Sequence, residues 1–203
     1  MATVGAATGL AVSAVAASVA QRKPPTSSYI SELSVPGEPL ASVFRTGVAV
    51  AGATSAWLGI SAVIEARRGT SEAGEGGPPV RWRTAVVHQP RAAALAAAGA
   101  MLVLAGAFPS SKGTPLPIRD GLHVPLRSWV HVPSALVSFW LWPVAAKGRW
   151  RPLLAANLAL LAPSALISPH GPATAVLQRT MVAAAVGALA CWSPNSPGVG
   201  LGK

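Results

Sequence analysis

Acidic side chains are scarce in this chain and cysteine is nearly absent. Its 203 residues include six aspartates and glutamates and a single cysteine, Cys191. One thiol excludes an intramolecular disulfide and a thiolate metal centre, and its apolar surroundings predict an inert, buried group. Charged residues make up 11% of the chain, against about 25% in an ordinary soluble domain. A soluble fold of this size would lack the polar surface to cover its core. Catalytic signatures are missing as well. There is no Walker loop, no glycine-rich dinucleotide fingerprint, no HExxH pair and no GxSxG elbow, so nothing points to an ATPase, a zinc protease or an α/β-hydrolase.

What the chain has in abundance is apolar residue. Hydrophobic side chains make up 51% and the mean hydropathy is +0.47. They fall in blocks separated by proline, glycine and arginine, for which hydrocarbon is the natural solvent. The blocks predict an all-α, polytopic transmembrane bundle in one membrane domain over 1–203. Its six spans lie at about Val4–Ala20, Thr46–Ile64, Ala92–Phe108, Ser128–Ala146, Pro152–Ile167 and Ala173–Trp192. The first admits a second reading as a signal peptide, because Ser18-Val19-Ala20 resembles a cleavage site; the lack of a basic residue in Met1-Ala2-Thr3 favours a retained helix. Prolines between Gln21 and Arg45 argue against a long helix there. Gly69–Pro90 is the most hydrophilic stretch, with a loop at Gly74–Pro79. Small residues such as Gly52, Ala56, Gly59, Ala96, Gly99 and Ala100 predict close approach of helix backbones.

The net charge of +10 would suggest nucleic acid in a soluble domain. Here the basic residues cluster at the ends of apolar runs, often beside tryptophan, as in Arg81-Trp82-Arg83 and Lys147-Gly148-Arg149-Trp150-Arg151. That is the pattern of membrane-flanking loops, and nucleic acid is not an expected partner. The loops after spans two and four are the more basic, which puts both termini in the cytoplasm and the Tyr29–Pro39 and Arg119–His123 segments outside.

Ionisable groups in or beside apolar spans are the candidates for function, because each costs free energy to hold there. Arg179 lies about two turns into the sixth span. It reads either as a snorkelling anchor or as an inward charge paired with an outward acid, of which Glu32 is favoured over Glu38 and Asp120. His131, one turn after Arg127, reads as a structural histidine or as a proton or ligand carrier. His123, His170 and His131 with Asp120 match no metal-ligand spacing, and neither metal nor cofactor is expected. Ser28-Tyr29-Ile30-Ser31-Glu32-Leu33 reads as an interfacial segment with Tyr29 at the headgroups, or as a plug over an outward cavity.

Tyr29-Ile30-Ser31-Glu32-Leu33, the prolines Pro36 and Pro39, Phe44 and the glycine-rich second span resemble the N-terminal signature of a bacterial membrane family known as domain of unknown function 998. Gly171 followed by Leu177-Gln178-Arg179 resembles that family's other recurring feature. The resemblance implies a six-helix integral membrane protein and supplies no activity. The long basic second loop, Gly69–Arg91, departs from the pattern.

The leading expectation is a non-enzymatic membrane protein that binds a lipid or a membrane-protein partner through Tyr29, Glu32, Arg45, Asp120, His131 and Arg179, with an anionic headgroup against Arg179 and Arg45. A proton-coupled carrier using Glu32, His131 and Arg179 is the alternative. An intramembrane lipid-modifying enzyme ranks last, because it needs a clustered acid, base or nucleophile.

Overall fold

A computed structural model describes residues 2–22, 30–72, 80–111, 125–167 and 171–192. Among them, six α-helices and one short 3-10 helix account for the regular structure, and there are no strands. The helices are α1 (Ala2–Ala20), α2 (Ala41–Glu72), α3 (Val80–Ala107), α4 (Leu126–Ala145), α5 (Trp150–Ile167) and α6 (Pro172–Ala190). The 3-10 helix, Ile30–Ser34, joins α1 to α2. Each helix packs on its neighbours in sequence, and α6 closes the ring against α1.

Stretches in α1, α2, α3 and α6 are long and apolar enough to cross a membrane. The 19 residues of α1 rise about 28 Å, close to a hydrocarbon core of about 30 Å. In the other two helices polar residues and prolines interrupt the apolar run. α4 carries Ser128, His131, Ser134 and Ser138 with Pro133 and Pro143, and α5 opens on Trp150-Arg151-Pro152 and carries Asn157.

Which solvent suits the bundle follows from α4. Its buried face includes Ser128, His131, Ser134 and Ser138, while Leu126, Leu136, Val137, Trp140 and Val144 are exposed, Trp140 by 61%. A water-soluble helix would have the opposite arrangement. Elsewhere the surface is equally apolar: Val12, Val15 and Val19 on α1, Trp57, Ile60 and Ile64 on α2, and Leu153 and Leu160 on α5 are all exposed.

With hydrocarbon outside, contact between backbones replaces the hydrophobic effect as the packing force. The seam between α2 and α3 shows how. A Cβ placed on Gly52 would lie 2.7 Å from the Gly99 carbonyl oxygen, and one on Gly59 would meet the backbone of Ala92 and Ala96. Only hydrogen fits at these positions. Gly187 is likewise covered by the Trp150 ring, which locks α5 on α6.

Three boundaries differ from those read in the sequence. α2 begins before Thr46 and continues to Glu72, and α3 starts at Val80, with Pro90 inside it. Hydropathy marks where the apolar run stops, whereas helical backbone continues as long as its own hydrogen bonds are made. Cys191, read as buried, is exposed, because it sits at the C-cap of α6 beyond the last packed turn.

Candidate functional site

The ends of α1 and α3 and the starts of α2, α4 and α6 gather at one end of the ring, tied together by side chains. Gln21 Nε2 donates to the Leu33 and Pro39 carbonyls at 3.2 and 2.9 Å. The Ile30 amide donates to Gln178 Oε1 at 2.9 Å, and the Ser110 amide to Ser34 Oγ at 3.2 Å. The 3-10 helix therefore sits as a plug, with Leu33 wholly buried among Leu10, Ala17, Ile30 and Phe44.

Two of the ionisable candidates are spent on the end of α3. A helix terminus in a dry environment must have its last carbonyls satisfied. Arg45 Nε donates to Gly106 O at 3.0 Å, and Arg45 Nη2 to Ala107 O at 3.3 Å. His131 Nδ1 lies 2.9 Å from both Ala105 O and Phe108 O, so that nitrogen carries the proton and the ring caps the same turn. Next to them Ser111 and Ser128 share a 2.8 Å hydroxyl contact, and Arg127 Nε donates to Ser111 Oγ at 3.2 Å.

Arg179 is placed differently. Half-buried on α6, it donates from Nη1 to Ser18 Oγ of α1 at 3.2 Å, and Glu32 of the plug supplies an attractive charge beside it. The structure thus brings Glu32 and Arg179 together, and leaves Arg45 and His131 at the α3 terminus. Tyr29 and Asp120, with His123 and His170, lie outside the described residues. Among the described residues no three metal-ligating side chains cluster.

From Arg179 an open groove of about 810 Å³ runs between α1 and α6, within the range of about 300–1,000 Å³ common for ligand sites. Leu10, Ala14 and Ser18 on α1, each four residues from the next, form one wall, and Val182, Ala183 and Val186 on α6 form the other. The spacing of three and four puts each set on one helical face. From Leu10 to Arg22 the helix rise is about 18 Å, against about 15 Å for one leaflet of hydrocarbon. The groove is apolar along its length and cationic at one end, where Arg22 joins Arg179 in the lining.

Arg22 was not among the residues singled out from the sequence. It stands just beyond α1 with a φ of 50°, its amide donating to Val19 O at 3.1 Å. Glycine is the usual occupant of such a left-handed helix end, and a Cβ there costs about 1 kcal/mol or more. The signal that would have found it is the continuation of the four-residue stripe from Ser18 to Arg22.

The opposite end of the ring is basic and aromatic. The Lys147 ammonium lies 5.4 Å from the Trp192 ring centroid, and the Arg149 guanidinium 5.5 Å from that of Trp150. Burial, then the neighbouring Arg91 charge, hold Lys147 below the usual lysine value.

No family model matches the chain, and neither a curated protein nor a solved structure does.

Proposed function

We propose that this chain is a small non-enzymatic, multi-pass membrane protein that holds a membrane lipid in the groove between α1 and α6, with an anionic headgroup against Arg179. The observation that carries the reading is the groove itself: an apolar trough about one leaflet deep that ends at a half-buried guanidinium. An acyl chain suits the trough, and arginine offers paired donors to a phosphate. All six helices cross the bilayer in this reading, with α4 and α5 carried by the ring they complete. The basic, tryptophan-rich end faces the cytoplasm with both termini. Kinship with domain of unknown function 998 rests on the short motifs around Glu32 and Arg179. The proton-carrier alternative loses support where His131 is occupied by two carbonyls of α3.

Mass spectrometry of phospholipid retained on the purified protein tests the lipid site. Wild type is expected to carry acidic phospholipid enriched over the source membrane. Arg179→Ala removes the charge and Ala183→Phe fills the trough, and both are expected to abolish the enrichment. Identical lipid on wild type and both variants would contradict the proposal. Sidedness is read from the single thiol: an impermeant maleimide should label exposed Cys191 in inverted vesicles and not in intact cells.

A further inference from the structure

Resting on the lipid-groove reading above, we infer that Arg22 is a second headgroup-binding residue and that the ligand class is a monoanionic phosphodiester phospholipid. Arg22 lines the same end of the groove as Arg179 from the opposite wall. Among the described residues no hydrogen bond or ion pair engages its guanidinium, whereas Arg179 is already bonded to Ser18. A cation at the mouth of an apolar trough presents its donors to whatever occupies that trough.

The backbone supplies an independent argument. At a φ of 50° the position favours glycine on conformational grounds. Arginine there sets a charged side chain against that preference. Removing the side chain is therefore expected to relax the backbone, which separates a binding role from a structural one.

Charge decides between headgroups. Arg22 and Arg179 in the lining, with Glu32 acting on Arg179 alone, make the groove mouth cationic among the described residues. A phosphodiester without a compensating amine, as in phosphatidylglycerol, complements it. A zwitterionic phosphatidylcholine brings a quaternary ammonium that repels the arginines. Two arginines facing each other across the groove can each contact a phosphate oxygen, an arrangement a point charge reproduces poorly.

The test uses the full chain in phosphatidylcholine vesicles doped with phosphatidylglycerol, followed by extraction and mass spectrometry of bound lipid, with thermal melting in parallel. Wild type should select phosphatidylglycerol over phosphatidylcholine. Arg22→Gly should lose about tenfold or more of that selectivity, the scale of one charge-assisted contact, with a melting temperature equal to or above wild type. Arg22→Lys should retain part of it. If Arg22→Gly keeps wild-type selectivity while Arg179→Ala loses it, the inference is overturned and the groove stands. If Arg22→Gly, Arg179→Ala and Ala183→Phe all keep it, the groove reading falls and the inference with it. Free glycerol phosphate in the aqueous phase should not displace the bound lipid; displacement would show a water-soluble phosphate site instead.

Discussion

At the residue scale the arginines and His131 divide between holding the bundle together and facing a ligand. Arg45 and His131 satisfy the last carbonyls at the end of α3, of which Ala105 O is buried. Removing His131 orphans the buried Ala105 carbonyl and the part-buried Phe108 carbonyl, at about 1–3 kcal/mol for a buried group. His131→Ala should therefore lower the melting temperature in detergent by several degrees and leave lipid retention unchanged. An unaltered melt, or lost lipid with an unaltered melt, would contradict the capping role. This division was only partly legible beforehand. Arg179 was visible as an ionisable group inside an apolar run, and Glu32 as an acid close to it. His131 could be read as structural, but not its partners, which are backbone carbonyls 23 and 26 residues away at the end of another helix. Arg22 was obscured by neighbours that read as an ordinary basic flank.

Elements were easier to read than contacts. Each of the six apolar runs became a helix, because hydrocarbon-length blocks leave the backbone no other way to satisfy its own hydrogen bonds. The helix ends were less legible, as the extension of α2 to Glu72 shows. The small residues of spans two and three did signal close packing, and the seam is specific enough to test. Gly59→Leu drives a branched side chain into the backbone of Ala92 and Ala96 and should cost several kcal/mol or prevent folding. Gly9 on α1 faces open space, so Gly9→Ala should keep wild-type stability or gain up to about 1 kcal/mol. Equal melting temperatures for the two variants would mean that α2 and α3 do not meet at these glycines. The pairing of α1 with α6, which makes the groove, joins the first and last helices of the ring; the periodicity of neither one names the other as its partner.

Across the whole molecule the two ends of the ring differ in kind. One is a plugged, hydrogen-bonded end with the groove mouth beside it; the other carries cations stacked on tryptophan. Between them the exterior is valine, leucine, isoleucine and tryptophan, and serine and histidine of α4 point inward. That inversion makes sense only if hydrocarbon surrounds the ring, and the groove has meaning only under the same condition. The most direct measurement is fluorescence quenching of single-tryptophan variants in vesicles of chain-brominated phospholipid. Trp57 and Trp140, exposed by 69% and 61%, should be strongly quenched by bromine and spared by aqueous iodide, while Trp142, at 3%, should be protected from both. Quenching of Trp57 and Trp140 by iodide but not by brominated chains would place water where this structure needs lipid, and would contradict the membrane-embedded bundle together with its groove.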